Sequence, residues 1–77
     1  MILVVNADDR NVETAVTAAV VAYDKHYRVK SRNMTDTSLD LIVELRTAKG
    51  AELISDVMSL EGVTSASLLS HDGEVTF

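Results

Sequence analysis

A chain of 77 residues with 12 acidic and 7 basic side chains, formal net charge −5, has room for one domain around one core. Its charge opposes nonspecific binding to nucleic acid or anionic lipid. Cysteine is absent, which excludes disulfides and thiolate metal sites and fits a reducing compartment, and no apolar run approaches the roughly 18 residues that span a bilayer.

Hydrophobic residues make up 47% of the chain and aromatics only 4%, so the core is expected to consist of Val, Leu, Ile and Ala. With no proline and 3 glycines, nothing reads as a linker, and residues 1–77 are expected to form a single domain.

Ile2, Leu3, Val4 and Val5 form a continuously apolar run, the pattern of a central strand covered at least partly on both faces. A strand beginning almost at Met1 fits a domain excised from a longer protein as well as a natural start. Asn6 to Asn11 then lead into a helix, because Val12, Ala15, Val16, Ala19, Val20 and Tyr23 recur at offsets of three and four. Asp8, Asp9 or Asn11 can accept hydrogen bonds from the free amides of its first turn. The sharper reading of the same residues is a loop that meets a small ligand or cation.

Tyr27 to Arg46 reads as two strands joined by a polar turn. Tyr27, Val29 and Ser31 alternate with Arg28, Lys30 and Arg32, and Leu39, Leu41, Val43 and Leu45 alternate with Asp40, Ile42, Glu44 and Arg46. Asn33 to Thr37 supply the turn. Setting Ser31 opposite Leu39 places Lys30 opposite Asp40 and Arg28 diagonal to Asp40 and Glu44. The basic row is then balanced by an acidic row on the wet face of the sheet.

A second helix is expected from Ala51 to Glu61, with Leu53, Ile54, Val57 and Leu60 on its buried stripe, Met58 at the margin and Gly62 as a left-handed cap. Val63 to His71 forms the fourth strand, with Ala66 and Leu68 on one face and Val63 and Leu69 on the other. Asp72-Gly73 is a two-residue hairpin signal that returns Glu74 to Phe77 as a short fifth strand.

The order strand, helix, strand, strand, helix, strand predicts an α+β fold, the ferredoxin-like βαββαβ sandwich, with two helices on one face of a four-stranded antiparallel sheet. The first and third strands take the centre. On the open face, Ile42 and one alternate pair of the first strand, Leu3 with Val5 or Ile2 with Val4, are left uncovered. The expected interface is Leu3, Val5 and Ile42, since an apolar patch in such a place is usually a pairing surface.

No nucleophile, base or metal constellation is visible: His26 and His71 are isolated, and there is no glycine-rich phosphate loop, His-x-x-x-His pair or Gly-x-Ser-x-Gly elbow. The chain is expected to be no enzyme and to need no cofactor or metal.

The opening strand ILVVNADDR running into a helix, the central hairpin and the segment LISDVMSLEGVTSASLLS together resemble the ACT-like group of ferredoxin-fold regulatory domains. YRVKSRNMTDTSLDLIVELR with VTSASLLSHDGEV looks more particularly like the soluble C-terminal domain of small bacterial membrane proteins of unknown function, and the C-terminal domain of MgtC-type membrane proteins is similar. The resemblance implies a cytoplasmic appendage, tethered to the inner membrane through a parent chain, that pairs with itself or with a protein partner. It implies as the alternative an amino-acid sensor, with Asp8, Asp9 and Asn11 near the ligand at a subunit boundary. Amino-acid-binding ACT domains typically carry a glycine in the loop after the first strand, and the matching stretch Asp8 to Val12 has none.

Overall fold

The computed structural model describes residues 1–69; the expected Asp72-Gly73 turn, the strand Glu74 to Phe77 and His71 lie outside the described residues. Strand β1 (Ile2–Ala7) passes through a 3-10 turn (Arg10–Val12) into helix α1 (Glu13–Val21). Strands β2 (Arg28–Met34) and β3 (Leu39–Glu44), helix α2 (Gly50–Met58) and strand β4 (Val63–Leu69) follow. The sheet order is β2-β3-β1-β4 with every neighbouring pair antiparallel. This is the expected ferredoxin-like arrangement, with β1 and β3 in the centre and β2 and β4 at the edges.

The buried core takes Leu3, Val5 and Ala7 from β1, Leu39, Leu41 and Val43 from β3, Leu45 just beyond it, and Val12, Val16, Val20, Leu53 and Val57 from the helical segments. Full burial of each such Leu or Val contributes about 1.5–3 kcal/mol. Leu3 and Val5 therefore lie beneath the helices, fully excluded from solvent, and the open face receives Ile2 and Val4 in their place. This corrects the assignment of Leu3 and Val5 to an interface. The physical reason is Asn6, which shares a face with Ile2 and Val4: turning that pair inward would also bury the Asn6 amide, whereas Leu3, Val5 and Ala7 bring only carbon.

Two bulges reset the edge strands. In β2 the register with β3 shifts between Val29 and Ser31, leaving Lys30 as the extra residue. Arg28 faces Glu44 and Val29 faces Val43, but beyond the bulge Ser31 lies opposite Ile42, Arg32 opposite Leu41, Asn33 opposite Asp40 and Met34 opposite Leu39. The extra residue moves Ser31 to the open face and Arg32 to the helix face. There Arg32 meets Glu13 at the start of α1 through two bonds, Nε to Oε1 at 2.7 Å and a terminal nitrogen to Oε2 at 2.5 Å. The expected pairs of Ser31 with Leu39 and Lys30 with Asp40 do not form. The strand also continues through Met34, and the turn is made by Thr35 to Ser38, where Thr35 Oγ1 accepts from the Ser38 amide at 3.0 Å.

In β4 the shift falls between the partners of Asn6 and Ala7: Ala7 lies opposite Val63 and Asn6 opposite Ser65, so Thr64 is extra. Its hydroxyl donates to the Asn6 carbonyl at 2.9 Å, supplying a bond at the irregular point of the ladder. Val63 thereby joins Ala66 and Leu68 against the core and does not share a face with Leu69.

Helix α2 ends at Met58, earlier than the expected Glu61, and Gly62 follows with φ +96°, the left-handed conformation expected of it. A Cβ at Gly62 would also stand 3.1 Å from Asp9 Cβ. Gly62→Ala is therefore expected to destabilise the chain by about 1–3 kcal/mol, read as a lowered urea midpoint with an unchanged slope; a midpoint equal to wild type would show that the position tolerates a side chain.

Candidate functional site

With both helices on one side, the sheet presents a face that no other described element covers. Cross-strand pairing sets its residues in three rows, in the order β2, β3, β1, β4. One row is Asn33, Asp40, Asn6 and Ser65; the next is Ser31, Ile42, Val4 and Ser67; the third is Arg28, Glu44, Ile2 and Leu69. Ile42 and Val4 are direct partners, Ile2 follows Val4 on the same face, and Leu69 lies opposite Ile2. These four form a continuous apolar strip from the inner strands to the β4 edge. Ile2, Val4 and Ile42 are half-buried by their neighbours and Leu69 is 38% exposed.

Polar groups bound the strip. Asn6 Nδ2 donates to Ser65 Oγ at 2.7 Å, tying β1 to β4 within the polar row. At the other end, Arg28 and Glu44 are direct partners across β2 and β3. Of the residues assigned to an interface, the structure places Ile42 in the strip and puts Leu3 and Val5 in the core.

Asp8, Asp9 and Asn11 are all exposed at the end of the sheet where β1 enters α1. Asp9 Oδ1 accepts from the Asn11 amide at 2.9 Å, the capping bond expected at the start of a helical segment. The Asp8 amide donates to the Gly62 carbonyl at 2.9 Å, so this loop rests against the loop that follows α2. Sequence reasoning places the three residues in one loop; the contact with Gly62 arises only from the fold.

A second uncharged surface lies on α1. Thr14, Ala18, Val21 and Ala22 are exposed on its outer side, with Val21 at 45%. No charged residue occurs from Thr14 to Tyr23, in contrast to the outer side of α2 with Glu52 and Asp56. The sequence carries this surface as the same run without charge, on the side of the helix away from its buried stripe.

Two open grooves flank the region where β3 leaves the sheet. One, of ≈ 540 Å³, is lined by Met1, Asp24, His26, Arg28, Glu44, Leu45 and Arg46. Asp24 is not a free carboxylate there: its oxygens accept from the Arg46 amide at 2.9 Å and the His26 amide at 2.8 Å. These bonds, the one from Arg46 foremost, hold the carboxyl below its ordinary range. The other groove, of ≈ 530 Å³, runs past Tyr23, Lys49, Glu52 and Asp56. In it the Tyr23 hydroxyl donates to Asp56 Oδ2, joining the end of α1 to α2. Among the described residues no group of three or more His, Asp or Glu side chains is placed to hold a metal ion.

The chain matches no protein-family model, no characterised protein and no solved structure.

The hydrogen bond to Asp56, helped by partial desolvation and then by the charges of Asp56 and Glu52, pushes the Tyr23 phenol up from 10.0 to about 12. A proton held more firmly in the folded chain stabilises it below pH 10, and that contribution is lost as pH rises through about 12. Spectrophotometric titration of the folded chain is expected to show Tyr23 ionising at about 12, and Asp56→Asn is expected to bring it back towards its ordinary value. A Tyr23 ionisation left unchanged by Asp56→Asn would count against the Tyr23–Asp56 bond.

Proposed function

We propose that this chain is a non-catalytic interaction module that self-associates through the open face of its sheet. The observation that carries the reading is the apolar strip of Ile42, Val4, Ile2 and Leu69 on a face without helices. Water must order against these side chains in the isolated chain, and a matching face removes them from it. Because three of the four are already half-buried, the gain per residue is below the roughly 1.5–3 kcal/mol of complete burial. After the cost of association, such a face supports a modest, concentration-dependent assembly rather than a permanent one. That suits a regulatory module whose pairing is meant to be reversible.

The resemblance to ACT-like domains and to the soluble C-terminal domains of small bacterial membrane proteins supports a setting for this pairing. In that setting the module is a cytoplasmic appendage of a longer membrane protein, and holding several parent chains in one membrane raises the effective concentration at which weak faces meet.

Sedimentation velocity over a dilution series from micromolar upward tests the reading. The wild-type chain is expected to pass from monomer to dimer, and Ile42→Lys or Val4→Lys to raise the dissociation constant at least roughly tenfold, about 1.4 kcal/mol, while leaving the circular dichroism and thermal midpoint near wild type. Val5→Lys is expected to unfold the chain instead, because Val5 is completely buried. If both open-face variants assemble as the wild type does, the proposed face is not the interface.

A further inference from the structure

Three basic side chains reach one groove from three separate segments. His26 lies in the loop before β2, Arg28 opens β2 and Arg46 stands just beyond β3, and all three line the groove of ≈ 540 Å³ where β3 leaves the sheet. Asp24 brings two of them together. Its Oδ1 accepts from the His26 amide at 2.8 Å and its Oδ2 from the Arg46 amide at 2.9 Å, so one carboxylate ties the loop before β2 to the segment after β3. Strand pairing then sets Arg28 opposite Glu44.

In this groove the acceptors are engaged and the strongest donors are not. Both oxygens of Asp24 are taken by backbone amides, and Glu44 also has a partner. Arg46 meets Asp24 through its amide and not its guanidinium, and among the described residues neither Arg28 nor Arg46 forms a salt bridge. Arg32 on the same strand shows the other outcome, its guanidinium forked onto Glu13. The side chains of His26, Arg28 and Arg46 are all exposed, so their donors are open to a ligand. Cations held in a cleft focus the field and attract an anion, even on a chain of net charge −5.

We infer that this groove binds a small phosphate monoester, with the Arg28 and Arg46 guanidiniums holding its oxygens, His26 as a further donor and Asp24 as a positioning residue. A carboxylate carries one charge and is filled by one guanidinium fork, whereas a phosphate monoester carries close to two charges and three acceptor oxygens, which suits two forks. The groove lies within the roughly 300–1,000 Å³ of small-molecule sites and has room for the organic part of the ester beside the phosphate. This site is distinct from the apolar strip of the open face and does not depend on self-association. Asp24 separates a built site from a merely positive one. Removing a carboxylate from an anion groove tightens binding if charge alone matters; here it releases the loop that carries His26 and the segment that carries Arg46, and binding is expected to weaken.

Glycerol phosphate titrated into the isotope-labelled full chain at constant ionic strength is expected to shift the amide resonances of His26, Arg28 and Arg46 saturably. Arg28→Gln and Arg46→Gln change exposed side chains and leave the Asp24 bonds intact, and each is expected to raise the dissociation constant at least roughly tenfold, the loss of a charged hydrogen-bond donor. Lys49→Gln, in the other groove, is expected to leave it unchanged. Asp24→Ala is expected to raise it, with Asp24→Asn, which keeps one acceptor oxygen, between Asp24→Ala and the wild type. Vesicles of phosphatidylcholine with phosphatidic acid separate the two sources of the ester: cosedimentation that Arg46→Gln abolishes assigns it to a lipid headgroup, and glycerol phosphate binding without cosedimentation assigns it to a soluble molecule. Shifts that do not saturate, or a dissociation constant that Arg28→Gln and Arg46→Gln leave unchanged, overturn the site; that result also follows if residues 70–77 already held the two guanidiniums. Tighter binding by Asp24→Ala overturns the positioning role.

Discussion

Burying Leu3, Val5 and Ala7 beneath the two helices turns Ile2, Val4 and Asn6 outward, because side chains alternate along a strand. β1 lies between β3 and β4, so its phase is transmitted to both neighbours through the registers that pair Val4 with Ile42 and with Ser67. One choice of face at the N-terminal strand thus decides the composition of the core and of the open surface together. A single-residue slip would exchange them, placing Asn6 inside and Leu3 and Val5 in water.

The bulges at Lys30 and Thr64 adjust that pattern only at the edges. At Lys30 the inserted residue brings Arg32 over α1, where its two bonds to Glu13 fasten the most exposed strand to the rest of the domain. The Arg32 and Glu13 side chains are 48% and 23% exposed, so the pair contributes at most about 1 kcal/mol. Its geometric effect is larger, since it fixes where α1 begins relative to β2. At Thr64 the inserted residue instead adds Val63 to the core and supplies a hydroxyl to the Asn6 carbonyl.

Charge is distributed to match. The basic residues Arg28, Lys30 and Arg32 gather on β2, while the inner strands carry Asp40 and Glu44 on the open face. What is left without charge is the strip from Ile42 to Leu69, the strand β4 and the outer side of α1. Such surfaces meet other macromolecules without the desolvation cost of an unpaired ion. Two clamps, Asp24 on the amides of His26 and Arg46 and Tyr23 on Asp56, instead consume polar groups within the chain.

Element order, helix stripes, the Gly62 cap, the helix-capping role of the Asp8 to Asn11 loop and the half-wet character of β3 were legible in the sequence. Each depends on spacing between neighbours in the chain: Val12, Val16 and Val20 mark a helix face, and Leu39, Leu41 and Val43 mark a strand face, wherever the rest of the protein lies. The apolar run of β1 could not be phased in this way, because Ile2 to Val5 offers four equivalent side chains and only burial against α1, α2 and β3 separates Leu3 and Val5 from Ile2 and Val4. The candidate site was legible at Ile42 and misplaced at its two partners for the same reason. The bulges, and with them the side taken by Ser31, Arg32 and Val63, were likewise decided by tertiary structure: an extra residue in an edge strand leaves no mark on alternation until the partner strand fixes which residues pair.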